Sequence, residues 1–540
     1  MAASGVGWHD GRVGHRVLIT EELARSALAT LEAEGCDVDV RLGLEPAALR
    51  EAVAGVSALI VRSATQVDAA LLEAAPDLVV VGRAGIGLDN IDVEAATRRG
   101  VVVVNAPQSN IISAAEHTIA LLLAQARNIP QAHADLTAGH WNRSRWQGTE
   151  LYGKTLGIVG LGRVGVLVAQ RALAFGMHLL AYDPFLTAER ARQLNVQLVP
   201  TLEELVARVD FLTVHLPKTP DTLGLVSADV LAKAKPGLRI VNTARGGILD
   251  ESVLYEALVD GRVEGAALDV FAEEPTTQSP LFSLDSVVVT PHLGASTAEA
   301  QDKAGQTIAE QVVLALRGDF VPYAVNVEAA QASDVVRPFL PLAERLGRLF
   351  TALADGVPEE LDVSYHGHLA DDDCSVLTLA ALKGVLAPVL EEPVSFVNAP
   401  QLARERGLSV RESKSATAVD YVNLVTLRGT IDGRAVHVGG TLAGRTLTAR
   451  IVGIDDHAVD VPPTEHMLVV RNEDRPGMIG RAGTILGEAG VNIADMALGR
   501  GPAGETSLMV LSLDSAAPAE VVEALRAEPG VLDARAVELD

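Results

Sequence analysis

The sequence predicts a multidomain α/β protein. Two doubly wound parallel-sheet domains face each other across a cleft, and an α+β domain and a small βαββαβ domain follow. Three observations carry this. Short apolar runs alternate with helical stretches over residues 16–105 and again over 155–291, the pattern of parallel sheets covered by helices. The run 156–159 feeds a glycine turn, Gly160-Leu-Gly162-Arg-Val-Gly165, that opens into a helical stretch. From His466 onward the order is strand, helix, strand, strand, helix, strand, a ferredoxin-like arrangement. A chain of 540 residues has room for three or four domains at about 100–200 residues each.

In the first domain, strands are expected at 17–20, 58–62, 78–83 and 101–105, with helices at 22–34 and 69–75 between them. Residues 110–127 are apolar almost all round, which reads as a long helix buried between two bodies. The glycine turn then gives each glycine a task. Gly160 permits the tight turn, Gly162 lets a pyrophosphate approach the backbone, and Gly165 lets helix and strand pack closely. The pyrophosphate sits on the helix N-terminus, whose N–H groups are unpaired. A second apolar run ends in Asp183, near the ~20-residue spacing of the ribose-binding acid. A carboxylate there favours NAD over NADP. Strands at 211–215, 239–243, 265–270 and 287–290 complete a Rossmann-like domain, and the same alternation makes the first domain Rossmann-like too.

A helical run at 296–316 crosses back onto the first domain. After Pro322 strands (360–365, 422–431) mix with helices (338–353, 375–390), and the final unit has strands at 467–471, 491–498, 506–513 and 531–539 with helices at 476–489 and 518–527. The expected domains are 14–106 completed by 297–325, then 107–296, 326–464 and 465–540.

Composition narrows the function classes. Asp and Glu number 70 against 44 Lys and Arg, a net charge of −26. Such a surface repels nucleic acid and anionic membrane, so neither is an expected partner. Cys36 and Cys374 have no Cys or His neighbour at ligand spacing. They read as buried bystanders in a reducing compartment. Residues 1–15 lack the apolar core of a secretory signal, and the apolar stretch 119–126 is too short for a bilayer; a cytoplasmic protein is expected. His366-Gly-His368 lacks a further ligand, so no metal is expected.

Three residues after the glycine turn form a chemical set. Arg245, Glu274 and His292 each lie just past a strand, where open parallel sheets bind ligands. Oxidising a secondary alcohol by hydride transfer needs a base for the hydroxyl proton, and histidine serves near neutral pH. A carboxylate beside it orients the ring and stabilises its charged form. An arginine grips a substrate carboxylate with two parallel hydrogen bonds.

Further motifs accompany them: Gly82-Arg-Ala-Gly-Ile-Gly-Leu-Asp-Asn90, Asn105-Ala-Pro-Gln-Ser-Asn110, Val214-His-Leu-Pro217, Asn242-Thr-Ala-Arg-Gly246, Asp269-Val-Phe271 with Glu274-Pro275, Pro291-His-Leu-Gly-Ala-Ser-Thr297, Asp474-Arg-Pro-Gly477 and Gly490-Val-Asn492. With these the chain resembles the D-2-hydroxyacid dehydrogenase family, most closely its long-form D-3-phosphoglycerate dehydrogenases with a C-terminal ACT domain. The resemblance implies NAD-dependent oxidation of 3-phosphoglycerate, the first step of phosphorylated serine synthesis. It makes His292 the acid–base, Glu274 its partner and Arg245 the carboxylate clamp. Arg163, Val164, Asp183, Thr243, Ala244, Asp269 and Gly294 line the NAD site beside the three glycines. Arg62, Gly85 and Asn110 meet the substrate from the first domain, and Arg143 reaches a neighbour's cleft in a homodimer formed through the NAD domain, itself part of a tetramer. Arg62 also has a physical warrant: it ends a strand at the cleft, and a phosphorylated substrate needs local arginines (Arg62, Arg143, Arg245) to reverse the field of a −26 protein.

The resemblance further implies an intervening regulatory domain with a basic anion site, for which Arg434, His437, Arg450 and His457 are candidates that no motif assigns. L-Serine is the implied effector, held by Asp474 and Asn492. Pro476 suits a first helical position and Asp474 an N-cap. The turn then offers N–H groups to the effector's carboxylate, and Asn492 offers an amide across an ACT–ACT interface. Two alternatives stay open: another 2-hydroxyacid dehydrogenase, such as a glyoxylate, hydroxypyruvate or 2-oxoglutarate reductase, or a non-catalytic NAD-sensing protein.

Overall fold

The structure is a computed structural model that describes residues 14–327, 333–390, 394–431, 433–501 and 504–539. The N-terminal reading above rests mostly on residues 1–13, which lie outside these.

Strands β1 (Arg16–Ile19), β2 (Asp37–Val40), β3 (Ala58–Val61), β4 (Val80–Arg83) and β5 (Val102–Asn105) form a parallel sheet in the order β2-β1-β3-β4-β5. Every residue of β3 and β5 is buried, as strands covered by helices on both faces must be. β2 carries two aspartates and is an edge strand with exposed ends, so it shows no apolar run and escaped the sequence reading.

The helix Ala298–Leu316 does return to this sheet. Ile308 and Val312 are fully buried with β1, β3 and β5 residues. Gly82 in β4 makes the fit, since a Cβ there would stand 2.7 Å from Ile308 Cγ2. The chain then lies along the β5 edge, where Asn326 Oδ1 accepts from Val103 N at 2.9 Å.

β6 (Thr155–Val159), β7 (His178–Tyr182), β8 (Gln197–Leu198), β9 (Phe211–Val214), β10 (Leu238–Asn242), β11 (Val263–Leu268) and β12 (Val287–Val289) form a second parallel sheet, ordered β12-β11-β10-β9-β6-β7-β8. The chain reverses direction through the sheet between β6 and β9, and the glycine turn follows β6. A ligand crevice belongs at such a switch point. The helix Ile111–Ala126 packs Leu122 and Ala126 against this sheet. It is not buried all round, which corrects the sequence expectation: Ile112 is 59% exposed, and Glu116 and Ala120 are exposed with it. Apolarity on every face does not require a cover on every face within one chain.

A third sheet is mixed: β13 (Glu360–Gly367), β14 (Ser409–Ser415), β15 (Asn423–Ile431), β16 (Arg434–Ala443), β17 (Thr448–Ile454) and β18 (His457–Val461), ordered β14-β13-β15-β16-β17-β18. Helices Leu340–Ala354 and Ser375–Leu386 cover it. Gly347 and Gly384 let these helices touch backbone to backbone; a Cβ on either would come within 2.2 Å of the other helix's carbonyl oxygen.

The last sheet is antiparallel: β19 (His466–Glu473), β20 (Ile493–Arg500), β21 (Thr506–Leu513) and β22 (Val531–Glu538), ordered β20-β21-β19-β22. Its first helix spans Met478–Glu488 and is led by Gly477 at φ 95°. This corrects the expected helix start at Pro476 and cap at Asp474. A positive φ suits glycine, so Gly477 sets the start and both residues stay in the turn. Among the described residues no helix is long and apolar enough to cross a membrane.

Candidate active site

The glycine turn has the shape its sequence requires. Gly160 takes φ 91°, and a Cβ there would strike His215 O at 2.7 Å. A Cβ on Gly165 would lie 2.2 Å from Gly160 O. At Gly162 a Cβ would meet nothing within 4 Å, and this residue leads the helix Arg163–Ala174. The turn therefore presents open backbone and a helix N-terminus, the surroundings a pyrophosphate needs.

Asp183, at the end of β7, turns toward this loop: Oδ2 accepts from Leu161 N at 2.8 Å and Oδ1 from Phe185 N at 2.9 Å. Arg163 reaches from the loop to Pro107 O at 3.1 Å, beside half-buried Val164.

The turns after β10, β11 and β12 lie side by side because these strands are neighbours. Asn242 brackets the first of them, with Oδ1 accepting from Ala244 N and Nδ2 donating to Arg245 O, both at 3.0 Å. Thr243 beside it is buried, its hydroxyl 2.7 Å from that of Thr118. A Cβ on Gly246 would overlap Phe271 O at 1.7 Å, so glycine is what allows the first two turns to touch.

Asp269 organises the third turn. Its side chain is fully buried and accepts from Thr290 Oγ1 at 2.6 Å, Leu293 N at 2.7 Å and Gly294 N at 2.8 Å, with His117 Nε2 at 3.1 Å. Burial works against its charge, but these donors outweigh it and hold its pKa below the ordinary aspartate range. Asp269 thus lies beneath the cleft surface, braced by a histidine the sequence reading passed over. His292 adopts φ 56°, unusual for a side-chain-bearing residue. Its N–H bonds to Asp269 O at 2.9 Å and Thr290 O at 3.1 Å keep it there.

That backbone presents a half-exposed imidazole whose Nδ1 meets Glu274 Oε2 at 2.6 Å. Glu274 also accepts from Phe271 N at 2.8 Å. Burial raises the Glu274 pKa, but the two hydrogen bonds outweigh it, and the result lies below the ordinary value. A ring that donates Nδ1–H to a carboxylate keeps the Nε2 lone pair free as a base.

Arg245 crosses to the first body, where Nε lies 3.3 Å from Asp89 Oδ2. Its guanidinium rests over Gly87, where a Cβ would stand 2.4 Å from Nη2. Gly85, expected to meet the substrate, seats Arg83: a Cβ there would overlap Arg83 Nη1 at 1.7 Å. Burial, and next the Arg245 charge, push the Arg83 pKa down to about 10; Arg62 adds to this. Arg83 was missed by the sequence reading, although it ends β4 as Arg62 follows β3, and the same argument applies to it. Arg83 Nε and Asn110 Oδ1 are buried polar atoms without a hydrogen-bond partner among the described residues. Each such atom costs about 1–3 kcal/mol, which a polar ligand would relieve.

Arg143 stays exposed in its loop beside Trp141, 77% exposed. Far along the chain, Asp474 pairs with Arg500 Nε at 3.0 Å and the Asn492 amide donates to Asp514 Oδ2 at 2.6 Å. Of the intervening candidates, Arg434 and His437 fall on β16, Arg450 on β17 and His457 on β18. Arg450 is tied to Asp460 at 2.6 Å. His457 is 4% exposed, and neither ring nitrogen has a partner among the described residues.

Family models match three stretches: D-isomer specific 2-hydroxyacid dehydrogenase, NAD binding domain, over 119–294; D-3-phosphoglycerate dehydrogenase intervening domain over 335–455; and ACT domain over 466–530. The D-3-phosphoglycerate dehydrogenase of Mycobacterium leprae is 50% identical over 512 residues, which cover 94% of this chain and 96% of that protein. This chain belongs to the D-3-phosphoglycerate dehydrogenase family. The family's protein from Methanocaldococcus jannaschii is 42% identical, covering 97% of this chain and 100% of its own. Among solved structures, the TT0316 protein of Thermus thermophilus superposes with a TM-score of 0.54 at 36% identity, over 57% of this chain and 99% of that one. The protein is an NAD-dependent oxidoreductase of this family, and the open backbone at Gly162 fits that cofactor.

Proposed function

We propose that the protein oxidises D-3-phosphoglycerate to 3-phosphohydroxypyruvate, the first step of phosphorylated L-serine synthesis. The observation that carries this is that Arg62 and Arg245 both act electrostatically on Arg83, while Arg245 follows a strand beside those that lead to the His292–Glu274 pair, in a protein of net charge −26. Three guanidinium groups suit a substrate with both a carboxylate and a phosphate. A singly charged hydroxyacid needs fewer.

In this reading Arg245 leaves Asp89 to grip the substrate carboxylate. Arg62 and Arg83 take the phosphate, and Asn110 Oδ1 accepts from a substrate hydroxyl. His292 Nε2 removes the proton from the reacting hydroxyl, and Glu274 stabilises the imidazolium that results. NAD, when bound, supplies the hydride acceptor. Gly160, Gly162, Gly165, Arg163 and Val164 hold its pyrophosphate; Asp183 faces its ribose; Thr243, Ala244 and Gly294 line the nicotinamide end, with Asp269 supporting them from below.

On this view residues 14–106 with 297–325 bind substrate and 107–296 bind NAD. A homodimer forms through the second body. Ile129 (54% exposed), Leu136 (55%), Trp141 (77%) and Tyr152 (79%) flank Arg143 in the chain, and exposed apolar side chains of this kind suit an association face. Arg143 would then reach the partner's cleft, and two dimers would make a tetramer. The domain 326–464 takes a regulatory anion, and 465–540 binds L-serine through Asp474 and Asn492 for feedback control.

The test is NADH formation with 3-phosphoglycerate, D-glycerate and D-lactate, product being removed by coupling. Turnover of D-glycerate equal to that of 3-phosphoglycerate would remove the phosphate from the reading.

A further inference from the structure

The turn after β3 is held from both neighbouring strands. Glu21, in the turn after β1, accepts three of its backbone N–H groups: Arg62 at 2.9 Å, Ala64 at 3.2 Å and Thr65 at 3.0 Å. Asn90, in the loop after β4, donates its amide to two of its carbonyls, Arg62 O at 2.9 Å and Thr65 O at 2.6 Å. Thr20 adds a hydroxyl contact to Thr65 at 2.8 Å. One clamp thus takes the donors and the other the acceptors, and the residue both clamps share beside Thr65 is Arg62.

We infer that Glu21 and Asn90 are positioning residues that fix the Arg62 turn for the substrate phosphate. The inference rests on the phosphoglycerate reading above.

A carboxylate beside an anion site needs a reason to be there. Glu21 acts electrostatically on Arg83, so its charge by itself weakens the field that attracts a phosphate. Burial also opposes that charge, yet its N–H donors hold its pKa below the ordinary glutamate range. The site retains an unfavourable charge because an ionised carboxylate can accept several N–H bonds at once. A glutamine keeps one oxygen, and its NH2 group opposes backbone N–H. Asn90, 8% exposed, completes the frame. A preorganised turn places the guanidinium without a loop-ordering cost on binding; a loose turn must be ordered by each substrate.

The two effects of Glu21→Gln have opposite signs. Loss of charge would tighten phosphate binding; loss of the clamp would loosen it. We expect the clamp to win: the KM for 3-phosphoglycerate rises about ten-fold, the scale of a lost charge-assisted hydrogen bond. The KM for NAD stays, and the KM for D-glycerate changes much less. Asn90→Ala should shift the same ratio from the other side.

The deciding measurement is a cycle with Arg62→Ala. In that background Glu21→Gln should add nothing to the KM ratio of 3-phosphoglycerate to D-glycerate. A fall in KM for 3-phosphoglycerate, an equal rise for both substrates, or full additivity with Arg62→Ala would each overturn the positioning role. If Arg62→Ala alone left the ratio unchanged, the phosphate reading itself would fail, and this inference with it. Should Glu21→Gln not fold, Asn90→Ala in the same cycle, with Tm recorded, decides the question.

Discussion

Arg83→Met separates stability from substrate binding. Arg83 is a half-buried cation with a buried, unpartnered Nε and two arginines close by. Its pKa of about 10, against an arginine value of roughly 12.5, corresponds to about 3 kcal/mol set against the charged form. The sign follows from a cation whose folded value is depressed. Folding carries the penalty at every pH below about 10 and loses it as pH rises above the folded value. Methionine matches the arginine stem only as far as Nε, and has no charge and no donor to leave unpaired. The ligand-free variant should therefore gain about 1–3 kcal/mol at pH 7, part of the full penalty being offset by partial exposure, which raises Tm by several degrees.

Substrate binding should move the other way, with the KM for 3-phosphoglycerate rising about 10–100-fold, as expected for a lost hydrogen bond to a charged group. Calorimetry of the ligand-free protein beside steady-state kinetics reads both. Inorganic phosphate should raise the Tm of the wild type more than that of the variant. If the variant melted lower than wild type, or kept its KM, Arg83 would be a structural brace over Gly85 and not a phosphate ligand.

His292→Ala should lower turnover by about 10²–10⁴-fold while NADH binding, followed by fluorescence, persists; Glu274→Gln should lower the apparent pKa of the oxidation direction, because the imidazolium loses its partner. Asp183→Ala should raise the KM for NAD by roughly ten-fold and improve relative use of NADP, since it removes both the ribose carboxylate and the acceptor for Leu161 N–H; an unchanged NAD/NADP ratio would take Asp183 out of the ribose role. L-Serine should inhibit, and Asp474→Ala and Asn492→Ala should relieve inhibition without lowering uninhibited turnover. Calorimetry showing no serine binding to the intact protein would leave the last domain an assembly module.

Much of this was legible in the chain itself. The glycine turn and the buried strands could be read because glycine spacing and unbroken apolar runs are local properties. The proposed catalytic set could be picked out because Arg245, Glu274 and His292 each follow a strand. What escaped was written in polar or edge residues: β2 with its aspartates, and β16 to β18, whose apolar residues are interleaved with glycine and charge. The start of the first helix in the last domain was misplaced because Asp-Arg-Pro-Gly offers two rival signals. Only a backbone angle, Gly477 at φ 95°, chooses between them.

The layout was readable from the chain: two parallel-sheet bodies, a glycine turn at a switch point, and Arg245, Glu274 and His292 just past strands. Tertiary structure alone decided the field inside the cleft. Arg62, Arg83 and Arg245 lie far apart in the chain and become neighbours only when β3 and β4 pair and Arg245 crosses from the second body to Asp89. Glu21 and Asn90 look like ordinary loop residues until the sheet sets them on either side of one turn. Burial and charge coupling depend on what surrounds a side chain in space, and no local pattern along a chain encodes that.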